Sequence, residues 1–210
     1  MLKGIYTSAY GMFTRMSQHS TISNNLANVN TPGYKKDRMI FQSLLQEGSK
    51  DNIMENLNDQ DVEVLAIYTN YENGPLSETS NPFDTAIQGD GFFTVQTPQG
   101  ERYTRAGHFT LNQENVLVDM NGNPVMGYGG EIVITGNNVN IAKDGSIVSN
   151  DEVIDSLRMV NFPQPERLLK EGKTYYKLNE NQEIYEMLPE EINLASGFIE
   201  NSNVSAVREM

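Results

Sequence analysis

Two histidines, His19 and His108, are the side chains best suited to proton transfer near neutral pH. They stand about 90 positions apart, without a local acidic partner pattern, so a catalytic triad or histidine metal site has little to build on. Both read as surface or packing residues. The chain has no cysteine, which removes disulfides, thiolate metal sites and cysteine nucleophiles together. Asp119-Met120-Asn121-Gly122 has the opening of a calcium loop but lacks the spaced acidic ligands and the closing Glu. A hairpin turn accounts for it. Gly89-Asp90-Gly91 lies between two apolar runs, not at a strand-to-helix junction, and reads as a hairpin rather than a phosphate loop. Carboxylates such as Asp144 and Asp151 are numerous, but nothing in their spacing pairs them, which leaves a glycosidase-like dyad unsupported. The acidic run Glu186–Glu191 reads as a solvated face. No catalytic, cofactor-binding or metal-binding residue is assigned.

The residues with the clearest spacing are apolar. Leu2, Ile5, Ala9, Met12, Met16, His19, Ser23 and Leu26 follow one another in alternating steps of three and four. That is a heptad seam on one amphipathic helix, weakened at His19 and Ser23. Tyr6 and Phe13 widen the apolar face, and Ile22 sits beside it. The helix spans Met1 to about Asn28 and would be roughly 40 Å long at about 1.5 Å per residue. Two readings stand: a core helix packed on its own domain, or a helix that needs partners from other chains. Its length and methionine-rich seam favour the second. On that reading the seam is partly disordered in the free subunit and orders on assembly.

Around this helix the chain divides into four parts. Residues 1–33 hold the helix and its cap, because Pro32 disfavours helix at Thr31 and Gly33 favours a turn. Residues 34–61 form a connector without clear period; Phe41, Leu44 and Leu45 make a short apolar cluster, and Gly48–Asp61 is a polar loop. Residues 62–195 alternate short apolar runs with Gly, Asn, Asp and Pro dividers, the signature of an antiparallel β domain built of hairpins. One short helix is expected at Gln164–Lys170, opened by Pro165. Residues 196–210 carry the start of a C-terminal helix, cut short at Met210. The fold class is therefore mainly β, with a long N-terminal amphipathic helix.

The net charge is −13, and a nucleic-acid footprint is not expected of such a chain. Residues 1–60 carry +1 and residues 61–210 carry −14, so the front end differs in composition from the rest. Thr7, Ser8, Arg15 and Gln18 interrupt the apolar residues of the N-terminus, so it does not read as a signal peptide. No apolar run reaches the roughly 18 residues of a membrane span.

Asn24, Asn25, Asn28 and Asn30 crowd the helix end in the stretch ISNNLANVNTPGYKK (22–36). Asn bonds readily to nearby backbone, so a C-terminal cap followed by a turn explains them physically. The same stretch resembles the N-terminal signature of flagellar basal-body rod and hook proteins. Three others agree: MLKGIYTSAYGM (1–12), NPFDTAIQGDGFF (81–93) with YTRAGHF (103–109), and SGFIENSNV (196–204).

This resemblance implies a structural, non-enzymatic subunit without cofactor, located in the bacterial flagellum basal body. Its partners would be copies of itself, neighbouring rod and hook subunits, and the flagellar export apparatus, a type III route that needs no cleaved signal peptide. Terminal helices would pair as a coiled coil in the inner layer of a tubular, torque-transmitting shaft, with the β domain outside. The assembly interface would comprise Leu2, Ile5, Tyr6, Ala9, Met12, Phe13, Met16, Ile22 and Leu26. The family motif would comprise Asn24, Asn25, Leu26, Ala27, Asn28, Asn30, Thr31, Pro32, Gly33 and Tyr34. The single modest β domain is most like the proximal or distal rod subunits, with the proximal type favoured. Such proteins continue past the SNV stretch with a long apolar helix, whereas this sequence stops at Met210 without the partner of the seam, so it is expected to be either a truncated form or a naturally short member. The rival readings are a β-rich binding module, such as an adhesin or carbohydrate-binding domain using its 10 tyrosines, and a hydrolase with an unrecognised carboxylate pair.

Overall fold

The computed structural model describes residues 2–44, 61–136, 139–150, 152–179, 185–186 and 192–209 of the chain. Helix α1 covers Leu2–Ala27. Its last turn tightens as Asn28 N bonds to Asn25 O at 3.1 Å and Val29 N to Leu26 O at 3.3 Å. These three-residue bonds satisfy carbonyls that a helix end otherwise leaves open. The helix ends at Ala27, ahead of the Thr31-Pro32 pair that was expected to stop it.

Asp37–Leu44 forms a strand, where an irregular connector was expected. It pairs antiparallel with Asp61–Thr69, Asp37 facing Thr69 and Leu44 facing Asp61. A bulge between Ile40 and Phe41 breaks the register, and with it the two-residue period that would have marked the strand. Apart from Asp61, the expected Gly48–Asp61 loop lies outside the described residues. The C-terminal part of α1 rests beside this ribbon.

The centre of the β domain is a six-stranded sheet in the order Leu169–Glu171, Tyr175–Lys177, Gly100–Thr104, Phe92–Thr97, Met159–Asn161 and Tyr185–Glu186. Every neighbouring pair is antiparallel. Successive strand residues point to opposite faces, and here both faces are covered. Phe93, Val95 and Met159 join the main core with Phe109, Leu117, Val125, Ile147, Leu157 and Leu194. Phe92, Tyr103, Val160 and Tyr176 join a smaller core with Phe162 and Leu168. Burial on both sides explains why Phe92, Phe93 and Val95 do not alternate with exposed polar residues, and even Thr94 between them is buried.

Pro98-Gln99-Gly100 and Lys143-Asp144-Gly145 turn hairpins as expected, and Asn121-Gly122-Asn123 turns the chain back on Asp119. Gly89-Asp90-Gly91 does not form the expected hairpin. Thr85–Ile87 pairs with Leu194–Ser196 from the far end of the chain, so the segment crosses from one sheet to another. The helix expected at Gln164–Lys170 is one 3₁₀ turn, Pro165–Arg167, because Leu169–Glu171 is drawn onto the sheet edge. Ile132–Thr135, expected as a strand, makes an isolated bridge at Val133 to Val116. The acidic run beyond Glu186 lies outside the described residues.

Residues 196–210, expected as the beginning of a helix, first complete two strands. Leu194–Ser196 and Phe198–Glu200 return to pair with Thr85–Ile87 and Leu76–Glu78. Only then does helix α2, Ala206–Glu209, begin, beside α1. Among the described residues, no helix is long and apolar enough to cross a membrane.

Candidate assembly site

The side chains of α1 divide into a buried foot and an open shaft. Asn25 and Asn28, both polar, are buried at the foot. Met12, Phe13 and Met16, all apolar, are 76%, 69% and 72% exposed. Ala9 and Ile22 are half-buried and Leu26 is 38% exposed. Leu2, Ile5 and Tyr6 continue the same helix, with side chains outside the described set. An amphipathic helix covered by its own domain buries its apolar stripe; the central part of this one exposes it.

At the foot, the Asn25 amide docks on the backbone of Asp37. Its Nδ2 donates to Asp37 O at 2.9 Å, and its Oδ1 accepts from Asp37 N at 3.0 Å and from Tyr34 Oη at 3.2 Å. Asn28 Nδ2 donates to Asn24 O at 2.8 Å, and Thr31 Oγ1 donates to Asn28 Oδ1 at 3.3 Å. Gly33 adopts a φ of +69°, and a Cβ there would lie 2.4 Å from the backbone N of Ala106. Only glycine combines that conformation with that approach. Of the ten family-motif positions, Asn25, Asn28, Gly33 and Tyr34 are buried, Thr31 and Pro32 half-buried, and Asn24, Leu26, Ala27 and Asn30 exposed.

Below the foot lies a buried ionic clasp. Lys35 Nζ donates to Glu200 Oε1 at 2.6 Å and to Glu72 O at 2.8 Å. Gly74 N donates to the same Oε1 at 2.7 Å, and Gly33 N donates to Glu200 O at 2.7 Å. The Arg105 guanidinium stands 3.8 Å from Glu200 Oε2 and lies over the Phe92 ring. Asn203 Oδ1 accepts from Lys36 N, while its Nδ2 donates to Asn70 O and Glu72 O. Lys170 Nζ donates to Lys35 O at 2.8 Å and to both Asp37 carboxylate oxygens at 3.0 Å.

Burial lowers the pKa of the Lys35 amine, and Glu200 opposes the shift. Burial likewise lowers that of Lys170, opposed by Asp37. Ions so placed persist because each is paired and further hydrogen-bonded.

Three of the four sequence stretches set apart by resemblance therefore meet at one point. The first brings Asn25, Gly33 and Lys35, the central one Arg105 and Ala106, and the last Glu200 and Asn203. Pattern reading singled out the stretches but not the clasp, whose partners stand up to 167 positions apart. His108 is expected as a surface or packing residue. It is partly exposed, and its Nδ1 meets the buried Asp84 Oδ1 at 2.5 Å. His19 is exposed on α1, its Nδ1 3.3 Å from Ser23 Oγ. Asp119 forms a turn: its Oδ1 accepts from Asn121 N and Asn123 N, and its Oδ2 from Tyr175 Oη.

Comparison with known proteins bears on what this arrangement is for. Residues 5–35 match the family model described as flagella basal body rod protein, and residues 86–149 that of the flagellar hook protein FlgE/F/G D1 domain. A flagellar basal-body rod protein FlgF of Mesorhizobium japonicum is 30% identical over all of this chain and 86% of its own length. A flagellar basal-body rod protein FlgG of Buchnera aphidicola subsp. Schizaphis graminum is 32% identical over all of this chain and 88% of its own. The chain belongs to the flagellar basal-body rod protein family. The FlgG of Bacillus subtilis is similar at 28% identity over the same extents. In this rod-family chain, the stretch matched by the rod protein model ends on Lys35, inside the clasp.

Proposed function

We propose that this chain is a structural subunit of the flagellar basal-body rod, and that it acts by packing against copies of itself and neighbouring flagellar subunits rather than by catalysis. Its place is the flagellar basal body, in keeping with its rod-protein relatives. The observation that carries the assembly reading is the row of Met12, Phe13 and Met16, apolar and exposed on a helix whose foot is fixed by buried polar contacts. Burying apolar surface contributes about 25 cal/mol per Å², so a neighbouring helix laid on this row is strongly favoured. The rest of the seam, Leu2, Ile5, Tyr6, Ala9, Ile22 and Leu26, extends the interface along α1.

The clasp gives this interface mechanical meaning. Torque taken up by a helix is useful only if its root does not swivel. Lys35–Glu200, Asn25–Asp37 and Gly33 against Ala106 tie that root to the β domain through the middle and end of the chain. The domain then acts as a stiff outer wall. The subunit is handed over by the flagellar export apparatus, and α1 completes its packing only at the growing tip. A variant lacking residues 1–30 tests the role of α1: it is expected to keep the β domain and lose co-assembly with full-length subunits. Unchanged co-assembly contradicts the reading.

A further inference from the structure

A cleft of about 370 Å³ opens beside the foot of α1. Pro32, Ala106, Met120 and Tyr175 give it apolar walls, and His108 and Lys173 are its basic residues. Its one carboxylate, Asp119, is already occupied by Asn121 N, Asn123 N and Tyr175 Oη. Lys173 is exposed and so stands at the mouth. The cleft therefore suits an apolar side chain carried next to a carboxylate.

This chain presents such a group. Glu152–Ser156 is the outer strand of a three-stranded sheet. Val153 is 65% exposed, Ile154 is 37% exposed, and Glu152 beside them is exposed. Exposed apolar residues on a sheet edge are an association surface. The strand runs on toward Met159–Asn161, which the Phe92–Thr104 hairpin separates from the Tyr175 strand that walls the cleft.

We infer that the cleft receives the Glu152–Ile154 edge of a second copy of this chain, with Val153 between Pro32 and Met120 and Glu152 against Lys173. The contact joins two different surfaces, so it propagates a filament rather than closing a two-fold dimer. It rests on the assembly reading above and adds to the α1 seam a second, lateral contact through the β domain. Charge complementarity supports this occupant: Lys173 is exposed at the cleft mouth, and Glu152 is exposed beside Val153 on the edge strand.

The absence of cysteine makes the test direct. Full-length Met120→Cys and Val153→Cys chains, mixed at high concentration under mild oxidation, are expected to form a disulfide-linked heterodimer. Its yield should exceed at least fivefold that of Met120→Cys mixed with Leu76→Cys. Adding Lys173→Glu to the first chain is expected to cut the yield several-fold, and Glu152→Lys in the second to restore it. Sedimentation of the same mixtures separates the two claims. Sedimenting assemblies without a disulfide above the Leu76 control overturn the cleft contact and leave the rod reading standing. Mixtures that neither sediment nor cross-link overturn both.

Discussion

Lys35 and Glu200 lie 165 positions apart in the chain and 2.6 Å apart in the fold, both almost wholly buried. The pair closes the chain on itself where a long exposed helix begins. A buried ion pair gives little net stability over an apolar pair, but removing one partner strands the other charge. The clasp is thus better suited to fixing one geometry at the root of α1 than to adding stability.

Lys35→Met is therefore expected to cost about 3–5 kcal/mol, because Glu200 keeps a charge without its main partner. Urea unfolding followed by circular dichroism measures it. A midpoint unchanged from wild type would mean that the clasp holds nothing in solution.

Glycine substitutions probe the same junction by steric means. At Gly33 an added Cβ meets the Ala106 backbone N at 2.4 Å, and at Gly74 it meets Asn201 O at 1.9 Å. Neither neighbour is a flexible side-chain end. Gly33→Ala and Gly74→Ala are each expected to lose about 1–3 kcal/mol or more, the range of overpacking. Gly122→Ala, with no atom within 4 Å of the added Cβ, has no such clash and meets only the strain of a φ of +82°. Equal thermal shifts in all three would remove the close approach as the cause.

Alkaline titration reads the tyrosines of both cores. Burial and the Asp119 carboxylate push the Tyr175 hydroxyl up to about 12, and burial raises Tyr71, Tyr103 and Tyr176 as well. Unfolded tyrosine gives up its proton near 10. Between about pH 10 and 12 the folded chain then holds more protons at these groups, so their contribution to stability falls as pH rises. Ultraviolet titration is expected to show one early group of tyrosines and a late group released with unfolding. Tyr175→Phe should shrink the late group by one residue. A single titration with an ordinary midpoint would contradict the packing described.

How far the sequence foretold this fold follows from the range of each interaction. The helix, its end near Asn28, and strands such as Phe92–Thr97 and Tyr175–Lys177 depend on local period and turn residues, and they stand where expected. Asp37–Leu44 was missed because its bulge breaks the period. Gly89-Asp90-Gly91 was misread because Thr85–Ile87 takes its neighbour from residues 194–196, which no local turn signal encodes. The clasp was invisible for the same reason: Lys35, Arg105 and Glu200 sit in three recognisable stretches, yet charge and spacing alone do not say that they converge. Asn25 was legible as part of a cap but not as the residue that ties the helix to Asp37.

The seam separates assembly from folding. Met12 and Met16 are exposed, so charges there are expected to change the stability of the single chain by no more than about 0.5 kcal/mol. The most direct test compares wild type with the Met12→Asp, Met16→Asp double variant, by sedimentation velocity at matched concentration and with circular dichroism as the folding control. Unchanged secondary structure and unfolding midpoint are expected, with loss of the large sedimenting species. A folded variant that sediments like wild type would show that this face of α1 is not the contact by which subunits join.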